Sequence, residues 1–211
     1  MKERRCSQLE HPKSAHYEEY NVMDQFHEWD VITQKVIRNR LAASDVSFFT
    51  PEEQNTIIAL YPIIFPSHLG DIGVNVLALL DQRMRENKIN GYVKGTTLQK
   101  VDVIRTGLRY IATECYTQFH HPFSTLEKKL QISYVGQLVE NIGSSDVWIK
   151  ITPKLFFTSF TYELLKIIYA DPSVWSDIGF GGPAFPRGYY TFGFDQFDPW
   201  EAPNNEQNKN H

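Results

Sequence analysis

LQKVDVIRTGLRYIATECYTQF, residues 98–119, is the stretch that decides the fold. Leu98, Val101, Ile104, Leu108, Ile111, Cys115 and Phe119 recur at three- and four-residue steps, the period of one face of a helix. The run is long for a helix and is stopped by His120-His121-Pro122, since the residue before a proline is pushed out of helical backbone. A helix with one apolar stripe must bury it against other elements, so its neighbours should carry the same period.

On the N-terminal side, Asn90-Gly91 and Gly95 form a break, and Val74, Leu77, Leu80 and Met84 mark a further helix after Gly70–Gly73. Before it stands the clearest helix start in the chain. Thr50 can cap, Pro51 fits the first helical position, and Glu53 can reach back to the cap's backbone amide. That helix is disturbed or ended at Pro62. Trp29, Ile32, Val36, Ile37 and Leu41 predict an amphipathic helix ending near Ala43, and residues 1–22 form a polar arm without a period. On the C-terminal side, Ser124 with Glu127 repeats the capping-box spacing and opens a helix through Leu126, Leu130, Tyr134 and Leu138. Thr152-Pro153 opens the last one, with Phe156, Phe160, Leu164 and Ile168 in register, and Asp171-Pro172 closes it. About six helices with short connections and no alternating strand predict an all-α, single helical domain over residues 23–172.

Beyond Pro172 the pattern changes. Gly179, Gly181, Gly182, Pro183, Pro186 and Gly188 interrupt any long helix, yet Trp175, Phe180, Phe185, Tyr189, Tyr190, Phe192, Phe194, Phe197 and Trp200 are too apolar for a linker. Residues 173–203 are therefore expected to be an extended aromatic arm, and 204–211 a disordered tail. The arm either wraps its own domain or covers a partner subunit, since interfaces favour Tyr, Trp and Phe at their centres. Trp175, Phe180, Phe185, Pro186, Arg187, Tyr189, Tyr190 and Trp200 are its candidate interface residues, with Arg187 as a planar polar anchor between Pro186 and Gly188.

The 211 residues suffice for one sizeable core. A net charge of -4 without a dense basic stripe argues against nucleic acid as a partner. No apolar run reaches the ~20 residues needed to cross a bilayer. Lys2, Arg4 and Arg5 are followed by polar residues where an export signal needs an apolar core, so a cytoplasmic location is expected. Of the two cysteines, Cys6 and Cys115, the latter falls on the apolar helix face and reads as a small core residue. Gly179-Phe-Gly-Gly-Pro-Ala lacks the strand, glycine spacing and helix of a phosphate-binding turn, so no bound cofactor is expected. His120-His121 fits a helix end better than a metal pair, and no serine sits in a nucleophile elbow. Neither catalytic nor metal-ligating residues emerge.

Phe48-Phe-Thr-Pro-Glu-Glu53 with its apolar helix, the Phe156-Phe157 helix, and Trp175-Ser-Asp-Ile-Gly-Phe-Gly-Gly-Pro-Ala-Phe-Pro-Arg-Gly-Tyr189 ending at Asp198-Pro-Trp-Glu201 resemble the gluconate 2-dehydrogenase subunit 3 family. The resemblance spans roughly Trp29 to Glu201, and the Ile-Gly-Phe-x-Gly-Pro-Ala-x-Pro-Arg-Gly-Tyr string is its specific part. It implies a small helical subunit that accompanies a large flavin-dependent dehydrogenase of the glucose-methanol-choline type acting on sugars, sugar acids or glycosides. The FAD and the catalytic base are implied to sit in the large subunit, so this chain would be a non-catalytic member of a hetero-oligomer that stabilises its partner and assists its maturation. Two other functions compete with this one: a free-standing helical enzyme with a pocket around His120, His121 and nearby carboxylates, and a chaperone that releases a flavoprotein client.

Overall fold

The computed structural model describes residues 17, 20–65, 75–89, 91, 93, 94, 96–186, 188, 200 and 202. Residues 1–16, 18 and 19 of the expected N-terminal arm fall outside them, as do Val74 and the 204–211 tail. Among the described residues the chain is helical and has no strand, as the periodicity predicts. After a 3-10 helix at Val22–Glu28 come α1 (Val31–Leu41), α2 (Pro51–Ile64), α3 (Val76–Arg85), α4 (Lys100–Phe119), a 3-10 turn at Phe123–Thr125, α5 (Lys128–Val139), α6 (Pro153–Ile168) and α7 (Pro172–Asp177). Two compact units divide them, one of residues 1–38 with 172–211 and one of residues 39–171, the boundary falling within α1.

In the unit of residues 39–171, α4 is the central helix and packs on α2 and α6, while α3 and α5 also pack on α6. Val103, Ile104, Leu108, Ile111 and Cys115 of α4 are buried, as are Phe156, Phe160, Leu164, Ile167 and Ile168 of α6. Gly107 sets how closely the two helices approach, because a Cβ there would lie 2.0 Å from Phe156 Cδ2. The capping box at Thr50 forms as its spacing predicts: the Glu53 amide donates to Thr50 Oγ1 at 3.3 Å and the Thr50 amide donates to Glu53 Oε2 at 2.9 Å. Thr152 caps α6 in the same way, accepting from the Leu155 amide.

Three local expectations are corrected. Ser124 does not cap α5: it lies in the 3-10 turn, and α5 starts four residues later behind Glu127, which makes no side-chain cap. Gln131 Nε2 instead donates to the Phe123 carbonyl at 3.0 Å and holds the turn against the helix. The buried face of α5 is formed by Gln131, Tyr134, Val135 and Leu138, leaving Leu130 exposed. Secondly, Ile32, Val36 and Leu41 are exposed, and only Ile37 of α1 is buried. At ~100° per residue, Ile32 and Val36 lie within ~40° of each other, Ile37 lies ~100–140° round from them and Leu41 ~180° from Ile32, so these positions could not form one stripe. Thirdly, of the two outcomes expected at Pro62, an end is ruled out: α2 continues through it to Ile64, with the Phe65 amide donating to the Tyr61 carbonyl.

In the unit of residues 1–38 and 172–211, the Val22–Glu28 turn packs on α7. Val22, Phe26, Trp29, Ile37 and Trp175 form its buried cluster. Trp29 meets Trp175 edge-to-face at a centroid distance of 6.2 Å, and the Val22 amide donates to Ser176 Oγ at 3.1 Å.

Candidate partner-binding surface

The aromatic segment opens with a helix, α7, rather than with extended chain. Asp171-Pro172 ends α6 and also starts α7, because proline at a first helical position sacrifices no hydrogen bond. Six residues later the helix is stopped by the glycine-rich string. Gly179 has φ +71, the left-handed conformation that glycine adopts without a Cβ clash. The Phe180 amide donates to the Trp175 carbonyl at 2.8 Å and the Gly179 amide donates to the Ser176 carbonyl at 3.3 Å, which together are the two bonds of a Schellman stop. Its usual apolar contact is present too, as the Phe180 ring meets Trp175 edge-to-face at 5.6 Å.

The other glycines are shaped by what they touch. A Cβ on Gly179 would meet the Tyr17 ring at 2.7 Å. One on Gly182, at φ +76, would meet the Trp29 ring at 2.6 Å, and one on Gly181 would approach Trp200 at 3.1 Å. Tyr20 adds a hydroxyl donated to the Trp200 carbonyl at 2.7 Å. This geometry bears directly on the phosphate question. The glycine run stands at the carbonyl end of a helix, where partial charge is negative, and a pyrophosphate needs the amide end.

Of the eight candidate interface residues, Trp175 points inward and is 7% exposed, so its ring supports the unit's own cluster. Trp200 is half-buried. Phe180 and Phe185 are 40% and 69% exposed, and Pro186, joined to Phe185 by a cis peptide bond, is exposed as well. Arg187, Tyr189 and Tyr190 lie outside the described residues. Ile178, 46% exposed, joins the exposed apolar set and was not singled out by the sequence. Its signal was the short helix before Gly179, hidden because Pro172 reads equally well as a stop. Ile178, Phe180 and Phe185 thus stand outward on a turn whose backbone is fixed by inward-facing Trp175 and by glycines pressed onto rings.

The ionisable groups buried in the unit of residues 39–171 are engaged by the fold. Asp81 accepts from the amides of Ser47, Phe48 and Phe49. Glu114 accepts from Tyr134 Oη at 2.7 Å, Trp148 Nε1 at 2.8 Å and the Ser144 amide at 2.6 Å. Burial, then the hydrogen bond to Glu114, raises the Tyr134 phenol above its ordinary range, which keeps it a neutral donor. Burial pushes the Cys115 thiol up to about 12, so it packs as a thiol and not as a nucleophile. His120, in left-handed backbone at the end of α4, and His121 are both exposed. Among the described residues no three His, Cys, Asp or Glu side chains gather as metal ligands, and no helix is long and apolar enough to cross a membrane.

A family model described as gluconate 2-dehydrogenase subunit 3 matches residues 51–182, from the first residue of α2 to the glycine that packs on Trp29. No curated protein and no solved structure matches the chain.

Proposed function

This chain belongs to the gluconate 2-dehydrogenase subunit 3 family, and we propose that it is the non-catalytic small subunit of a sugar, sugar-acid or glycoside dehydrogenase, binding and stabilising a large catalytic subunit that carries FAD. The observation that carries this reading is the exposed Ile178, Phe180 and Phe185 set on a rigid turn. Large apolar side chains held outward by a preorganised backbone lose little conformational freedom on docking, which is what an interface anchor requires. The flavin is assigned to the partner because the glycine-rich turn among the described residues is used to end α7 and to press on Tyr17 and Trp29.

Co-expression with a candidate FAD-containing oxidoreductase and size-exclusion chromatography test this assignment. The expected result is stoichiometric co-elution, with flavin absorbance retained by the large chain alone and lost from the small chain when the two are separated. Stoichiometric flavin in the isolated small chain, or elution of the two chains apart under every condition, would overturn it.

A further inference from the structure

We propose that the cationic cluster around Glu163 is a binding site for an oxyanion, a phosphate or carboxylate group that is either free in solution or carried on another protein. Glu163 of α6 is completely buried. Its Oε1 meets Lys166 Nζ at 2.8 Å and Lys100 Nζ at 3.2 Å, and its Oε2 meets Arg83 Nη2 at 3.1 Å. One carboxylate therefore faces three cations, supplied by α3, α4 and α6. Arg40 lies close enough to feel the Arg83 charge, but it is balanced by Asp171 and donates to the Ala170 carbonyl. Three cations against the one carboxylate leave these four groups with a net charge of +2.

A structural staple needs one cation for one acid. A second and a third add repulsion between groups that share a single carboxylate, and that repulsion is felt more strongly away from bulk water. An incoming anion relieves it. The layout suits such a ligand, because the acid lies beneath and the cations lie towards solvent: the side chains of Lys166, Arg83 and Lys100 are 37%, 28% and 19% exposed against 0% for Glu163. Tyr162, itself 53% exposed, holds both ammonium groups over its ring, with Lys166 Nζ 4.3 Å and Lys100 Nζ 5.1 Å from the centroid. Ammonium and guanidinium groups offer donors only, so the ligand must bring both negative charge and acceptor oxygens.

The full chain is titrated with sodium phosphate and, in separate arms, with acetate and an acetylated di-glutamate peptide, at ionic strength held constant with sodium chloride. Binding is read by calorimetry and by thermal melt. The expected result is saturable binding in at least one arm, weakened by roughly tenfold or more in Lys100→Gln and in Lys166→Gln and retained in Lys166→Arg, with Lys154→Gln as the exposed control. Binding of phosphate or acetate would assign a free small anion, and binding of the peptide alone a carboxylate carried on another protein. Shifts equal to those produced by chloride, or unchanged binding in folded Lys166→Gln, would overturn the proposal. Lys166 is the most exposed of the three cations, so its variant decides the matter if Lys100→Gln does not fold.

Discussion

Replacing Glu114 by Gln changes one oxygen for a nitrogen and almost nothing in volume, yet the surroundings of that side chain make the exchange costly. Glu114 is 2% exposed and accepts three hydrogen bonds, from Tyr134 and Trp148 at Oε2 and from the Ser144 amide at Oε1. An amide can accept on one side only. With its oxygen towards Tyr134 and Trp148, its NH2 group faces the Ser144 amide, donor against donor, at a separation of 2.6 Å. Flipped, it faces Trp148 Nε1, which has no lone pair to offer. Tyr134 can rotate its hydroxyl to accept, but one obligate donor is orphaned in either orientation. An unsatisfied buried donor costs about 1–3 kcal/mol, and the surviving bonds drop from charge-assisted to neutral strength, a further ~1 kcal/mol. The expected total is about 3 kcal/mol, a large part of the ~5–15 kcal/mol that holds a domain together. Urea unfolding at neutral pH measures it. The cycle with Trp148→Phe should show coupling, because removing the indole donor removes one of the orphans. A loss below ~1 kcal/mol, or purely additive single and double variants, would refute the reasoning.

Thr50→Ala removes one half of a reciprocal cap and should cost on the order of 1 kcal/mol by denaturant titration, with an unchanged midpoint speaking against it. Gly107→Ala gains ~1 kcal/mol of helix propensity but drives a methyl group into the Phe156 ring, so a net loss of roughly 1–2 kcal/mol is expected; a raised melting temperature would show that α4 and α6 can separate without cost. Burial pushes the Glu163 carboxyl up, but hydrogen bonds from Lys166, Lys100 and Arg83 outweigh it and hold the group below its ordinary value of 4.5. A depressed acid stabilises the fold above its unfolded pKa and loses that contribution as pH falls through the folded value, so stability should decline below about pH 4.5 with a slope that Glu163→Gln flattens. Parallel slopes in the two proteins would contradict this.

The helices of residues 39–171 were legible because their signals are local. Thr50, Pro51 and Glu53 act within four residues of one another, and the period of Ile104, Leu108, Ile111 and Cys115 needs no knowledge of what covers it. Ser124 misled because a capping box is only a spacing, and the same spacing is compatible with a 3-10 turn held by Gln131 from the next helix. The α1 stripe misled because successive three- and four-residue steps drift round the helix, so that Leu41 stands opposite Ile32. On the aromatic segment, composition identified residues that must lie against something, but not which of them face inward. Trp175 and Phe180 are both aromatic and five residues apart, and only the left-handed turn at Gly179 sends one into the unit and leaves the other 40% exposed. The buried Asp81, Glu114 and Glu163 hubs were invisible, since each collects donors from distant parts of the chain.

The central claim, that Phe180 and Phe185 are docking anchors on a preformed turn, is tested most directly by the affinity of the Phe180→Ala/Phe185→Ala double variant for the FAD-containing subunit, measured beside its thermal melt. Phe185 is 69% exposed and Phe180 gives up its edge contact with Trp175, so the melt should fall only modestly while association weakens by ~2 kcal/mol or more, roughly thirtyfold. An unchanged affinity in a variant that melts normally would contradict the account.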